Sequence, residues 1–120
     1  MKTATTVVQM MIRLFGLILI VLGILFWAGR SINLVPAHIW VGTAFVLLLW
    51  ILAFMSLRVR GNAGLAVGAI VWGLVVMALG MTQVRLLTGS AHWVVQVLHL
   101  LVGLGAIGLA ESLAARVKRA

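Results

Sequence analysis

Three histidines, His38, His92 and His99, carry most of the chemistry this chain can offer. Imidazole serves as a metal ligand or as a proton carrier near neutral pH. His92 and His99 are seven residues apart, so on a helix they share a face and lie about 10 Å apart along its axis. Gln96 falls between them on that face. Arg30 and Arg85 add two guanidinium forks suited to carboxylates. Much else is excluded. The chain has no Cys and a single acid, Glu111, which removes thiolate metal sites, iron–sulfur clusters and C-x-x-C-H attachment. Phosphate-loop, H-E-x-x-H and Ser/His/Asp patterns are absent as well.

The elements that must position these groups follow from composition. Hydrophobic residues make up 65% of the 120 residues and charged ones 8%, against about 45–50% and about 25% in a soluble domain. Four apolar runs, at 9–28, 36–57, 63–84 and 91–116, are each long enough to cross a bilayer as a helix. They are unbroken rather than alternating, which argues against strands. Turn-forming residues separate them: Gly29 to Asn33, Arg60-Gly61-Asn62, and Thr88-Gly89-Ser90. Pro36 suits the first turn of the second helix and Ser90 the N-cap of the fourth.

Connections this short make consecutive helices antiparallel neighbours. The expectation is an all-α membrane protein, one four-helix up-down-up-down domain over 1–120. Helices 1 and 3 share one diagonal, and helices 2 and 4 the other. Lys2, Arg13, Arg58, Arg60, Arg116, Lys118 and Arg119 then fall on one side, with only Arg30 and Arg85 opposite. The positive-inside rule places both termini in the cytoplasm, in a membrane of the bacterial inner-membrane type. The formal charge of +8 is spread over the ends of apolar runs, which fits membrane topology and not nucleic-acid binding. No A-x-A site follows the first run, so it is expected to remain as a helix.

All three histidines lie on helices 2 and 4. Imidazoles from opposite corners of a bundle can occupy both axial positions of one haem iron. On helix 1, Gly16, Gly23 and Arg30 share a face; on helix 3, Gly73, Met77 and Gly80 do. These glycines either make room for a macrocycle or let helices pack closely. Arg30 and Arg85 are the expected partners of the haem propionates. A weak repeat, Val35-Pro-Ala-His-Ile-Trp-Val and Gly89-Ser-Ala-His-Trp-Val-Val, pairs His38 with His92. Depth counted from the opposite helix ends leaves His99 close behind. Trp27, Trp40 and Trp93 suit an interfacial belt, while Trp50 and Trp72 lie deeper. Met81 with the histidines would suit a soft Cu(I) site. Glu111 is expected to neutralise Arg58 or Arg116.

With P-A-H-I-W at 36–40, A-H-W at 91–93 and His99 in place, the chain resembles the four-helix b-type membrane cytochromes. The resemblance implies a non-covalent haem b between helices 2 and 4. Two of His38, His92 and His99 would be its iron ligands, and Arg30, Arg85, Gly23 and Gly80 would complete the site. It also implies electron transfer, more carrier than enzyme, with quinol or a redox protein at the outer face. Di-haem members carry histidine pairs on both diagonals; helices 1 and 3 carry none here, so one haem is the limit. Two other readings stand beside it: a cofactor-free accessory or assembly subunit of a larger membrane complex, and a small metal or proton transporter using the histidine line of helix 4. Self-association into a homo-oligomer is compatible with each.

Overall fold

The computed structural model describes all 120 residues and is helical throughout. The helices are α1 (Lys2–Trp27), α2 (Val35–Ser56), α3 (Ala63–Thr82) and α4 (His92–Arg119), with single 3-10 turns at Ile32–Leu34 and Gln83–Arg85. All four are long and apolar enough to span a membrane. The bundle measures 48 × 23 × 16 Å, longer than a hydrocarbon core of about 30 Å. Neighbours around the bundle are α1–α2, α2–α3, α3–α4 and α4–α1; α2 and α4 also touch across the centre, whereas α1 and α3 do not. The expected diagonals are therefore the observed ones.

A helix surrounded by lipid gains nothing by turning apolar side chains inward, so its inward face is set by fit and small size. Each helix shows such a stripe. On α1 it runs through Thr5, Gln9, Ile12 and Gly16; on α2 through Phe45, Leu49, Leu52 and Ser56; on α3 through Ala66, Ala69 and Gly73; on α4 through Ala106, Ala110, Leu113 and Val117. All of these are buried. Leucines of α2 and α4 fill the space opened by alanines of α3 and α4, and this dry core occupies the half of the bundle nearest the termini. Large apolar side chains such as Leu17, Phe54, Val71 and Leu101 are turned outward, a surface for lipid rather than water.

Two tryptophans tie this half together. Trp50 Nε1 donates to the Ile70 carbonyl at 3.2 Å, and Trp72 Nε1 to the Val102 carbonyl at 2.8 Å. Their rings fill slots made by glycine. A Cβ built on Gly73 would lie 2.5 Å from Trp50 Nε1, and one on Gly105 2.9 Å from Trp72 Cζ2. Gly73 thus serves close packing, as does Gly16, whose missing Cβ would lie 3.0 Å from Ile107.

Three expectations are corrected. The first helix begins at Lys2 rather than near residue 9, because its first two turns are anchored. Thr5 Oγ1 donates to the Met1 carbonyl, and Gln9 joins a polar group on α4. Glu111 pairs with neither Arg58 nor Arg116 but with Arg13, whose Nε and Nη2 reach its two oxygens at 2.7 and 2.9 Å. Gln9 Nε2 also donates to Glu111, and Lys118 Nζ to Gln9 Oε1, each at 2.6 Å. Gln9 and Arg13 are one turn apart on the face α1 presents to α4, which explains the choice. Finally, Ala91 and not Ser90 precedes α4, and no side chain caps it.

The turns rely on left-handed backbone. Gly61, at φ +83, reverses the chain between α2 and α3, a conformation that costs glycine little. In the α3–α4 connection Leu87 takes φ +43, uncommon for a residue with a bulky side chain.

Candidate functional site

Beyond the dry core the same stripes continue, but the residues on them change. Leu19, Gly23 and Phe26 extend the stripe of α1; Gly42 and His38 that of α2; Val76, Met77 and Gly80 that of α3; Gly103, His99, Gln96 and His92 that of α4. Glycine, imidazole and amide replace alanine and leucine. The result is a cavity of about 480 Å³ lined by all four helices, within the size range of sites for small ligands and cofactors. Phe45, Val46, Gly16 and Ile107 form its floor against the core.

His38 and His99 meet in this cavity. Their ring centroids are 6.4 Å apart and the rings are tilted by 56°. Phe26 lies edge-on to His38 at 5.4 Å. Each imidazole faces a glycine of the neighbouring helix: a Cβ on Gly23 would lie 3.9 Å from His38 Cε1, and one on Gly80 3.0 Å from His99 Cε1. The Nδ1 atoms of both rings are buried without a hydrogen-bond partner. Buried polar atoms are ordinarily satisfied, so these two are exceptions that a polar group entering the cavity could satisfy.

The other predicted residues sort themselves around this pair. His92 lines the cavity, but it is the first residue of α4 and its Nδ1 lies 3.0 Å from the Leu86 carbonyl, which ties it to the preceding loop. His38 is the fourth residue of α2. The two Ala-His repeats therefore sit at different places on their helices, and His99 rather than His92 is the imidazole that meets His38. Gly23, Gly80, Gln96 and Met81 line the cavity; Arg30 and Arg85 do not. Arg30 lies in the α1–α2 connection and Arg85 ends the turn after α3, so both stand at the end of the bundle onto which the cavity extends. Phe26 and the floor residue Phe45 were not foreseen as site residues. Phe26 lies three residues after Gly23, on the same face of α1, and that spacing was the available signal.

What the donor set suits can be tested by counting. No group of three or more His, Asp or Glu side chains is placed to hold a metal ion, so an ion depending on protein ligands alone lacks a coordination shell. A porphyrin iron needs only two. Imidazoles on opposite sides of one metal would set ring centroids about 6 Å apart, allowing about 2 Å for each metal–nitrogen bond and about 1 Å from nitrogen to ring centre. The observed separation of 6.4 Å is of that size as a distance between ring centres, while the Cε1–Nε2 edge of His99 is turned to Gly80. Compared with protein-family models, characterised proteins and solved structures, the chain matches none.

Proposed function

We propose that this protein is a small membrane cytochrome that holds one non-covalent haem b in the histidine half of the bundle and transfers electrons. The observation that carries the reading is the pair His38 and His99, 6.4 Å apart in a cavity, each facing a glycine. When bound, the haem would supply one-electron redox chemistry. The chain's own residues do the rest. His38 and His99 would hold the iron, and Gly23 and Gly80 would keep the space beside the rings clear. Phe26 restricts rotation of the His38 ring, and the apolar lining excludes water, which helps set the redox potential. Arg30 and Arg85 offer carboxylate-binding forks at the far end, where His92 and Gln96 add further hydrogen-bonding groups.

The charge distribution supports placing both termini in the cytoplasm, with the histidine half toward the outer face of the membrane; a bacterial cytoplasmic membrane is the proposed location. Quinol or a redox protein on that side is the electron partner. The deciding experiment is a reduced-minus-oxidised visible spectrum of detergent-purified protein, with haem content measured as the pyridine haemochrome. The expected result is b-type bands near one haem per chain, lost in His38→Ala and in His99→Ala and kept in His92→Ala. A colourless protein that takes up no added haemin overturns the proposal and leaves an accessory or assembly subunit as the reading.

A further inference from the structure

The end of the bundle that carries the termini holds a second concavity, of about 330 Å³, lined by Val59, Arg60, Asn62, Arg116, Arg119 and Ala120. Three arginines line it, and no acidic side chain does. The single acid of the chain, Glu111, is engaged by Arg13 in the only ion pair of the structure. Asn62 is 2% exposed; its Oδ1 accepts a hydrogen bond from Arg116 Nη1 at 3.3 Å, while its Nδ2 is buried and has no partner. Asn62 is also the residue before α3, and no side chain caps that helix. With its Oδ1 turned to Arg116, the amide leaves the positive end of a 20-residue helix uncovered. Beside it Gly64 has open space where a Cβ would stand.

We propose that this pocket binds a phosphate-bearing anion. Arg60, Arg116 and Arg119 neutralise its charge, and the Asn62 amide donates a neutral hydrogen bond to one oxygen. Arginine suits the task because its planar fork matches phosphate oxygens two at a time, and a helix N-terminus favours anions. The pocket lies at one end of a bundle 48 Å long, which extends beyond a hydrocarbon core of about 30 Å. The same phosphate chemistry is presented there by an anionic phospholipid and by free phosphate. Basic pockets between helix ends are known to take lipid headgroups.

The experiment uses the full chain in a neutral detergent, titrated with phosphatidylglycerol, with phosphatidylcholine or with inorganic phosphate. Readouts are lipid adducts in native mass spectra and the midpoint of thermal unfolding. Phosphatidylglycerol is expected to remain bound and raise the midpoint where phosphatidylcholine does neither. A rise with millimolar phosphate alone identifies the free anion as the occupant. Arg60→Gln and Arg119→Gln, both at surface positions, should each weaken retention about fivefold, and Lys2→Gln, at the same end but outside the pocket, should leave it unchanged. Equal retention of both lipids with no response to phosphate overturns the proposal. So does a loss in Lys2→Gln matching that in Arg60→Gln, since the attraction would then be diffuse. None of these readouts depends on haem, so the outcome is separate from that of the cytochrome reading.

Discussion

The two halves of the bundle are made of the same four helices and differ in what fills their inward stripes. In the half nearest the termini, Leu49, Leu52, Ala53, Ala66, Ala69, Ala106, Ala110 and Leu113 are fully buried, and the helices touch through glycine slots and tryptophan hydrogen bonds. In the other half Val95 is the only buried residue, and the stripes border a cavity. Close packing is what holds transmembrane helices together when lipid competes for their apolar surface. One half supplies that packing. The other forgoes it over four helices at one level, which is the space the proposed haem would need. The comparison predicts that substitutions in the histidine half change the guest more than the fold, and those in the closed half the reverse.

The largest effect expected is all-or-none. His38→Ala or His99→Ala should abolish haem binding, read in the visible spectrum, while the helical circular dichroism signal persists, because neither ring supports the core cluster. Unfolding of both variants would break the comparison, since the cavity residues would then be structural. Next comes the core. Leu49, fully buried between the helices, should cost about 2–3 kcal/mol when truncated to Ala, the low end for core truncations because lipid and not water is the competing solvent. Leu104→Ala, on the rim of the cavity and 44% exposed, should shift the unfolding midpoint little. Equal losses would mean that the two halves are packed alike.

The glycines sharpen the contrast within a single residue type. A methyl group on Gly73 meets Trp50 Nε1 at 2.5 Å, whereas one on Gly23 reaches His38 Cε1 at 3.9 Å, an ordinary contact. Gly73→Ala should therefore lose about 1–3 kcal/mol as the indole is forced aside, and Gly23→Ala almost nothing. Gly80→Ala lies between them. Its Cβ would stand 3.0 Å from His99 Cε1, so the ring must give by a few tenths of an ångström, and the expected result is a displaced redox potential in a protein of nearly normal stability.

Much of this was legible in the residues. Unbroken apolar runs gave the four helices, and short connections gave their antiparallel order and diagonals. The seven-residue spacing of His92 and His99 placed them on one face of α4, and that face is the stripe that continues through Ala106, Ala110 and Leu113. Axial register was not legible. Whether His92 or His99 stands level with His38 depends on where α4 begins and how the α3–α4 connection folds. The 3-10 turn at Gln83–Arg85 and the left-handed Leu87 leave no clear mark in the sequence. The roles of Gly16 and Gly73 against those of Gly23 and Gly80 were equally hidden. All four are glycines on inward faces, and only the partner opposite, indole or isoleucine in one half and imidazole in the other, separates packing from space.

The smallest loss expected within the packed half concerns the tryptophan bonds that close it. Replacing Trp72 by Phe removes the donor to the Val102 carbonyl but leaves that carbonyl its own helical hydrogen bond, so no acceptor is stranded. The loss is that of one interhelical hydrogen bond together with part of the contact at Gly105. Interhelical hydrogen bonds in membranes average about 0.6 kcal/mol and reach about 1.7, so a loss of about 1 kcal/mol is expected. Trp50→Phe breaks a longer bond, 3.2 Å against 2.8 Å, and should cost less. Adding Gly105→Ala to Trp72→Phe tests the slot itself. The Cβ that would collide with the indole at 2.9 Å meets a shorter ring, so the double variant should be more stable than the sum of the single losses predicts, a coupling that a double-mutant cycle on unfolding free energies reads directly. Strict additivity would show that the indole and Gly105 act independently and that the closed half does not owe its close approach to this pairing.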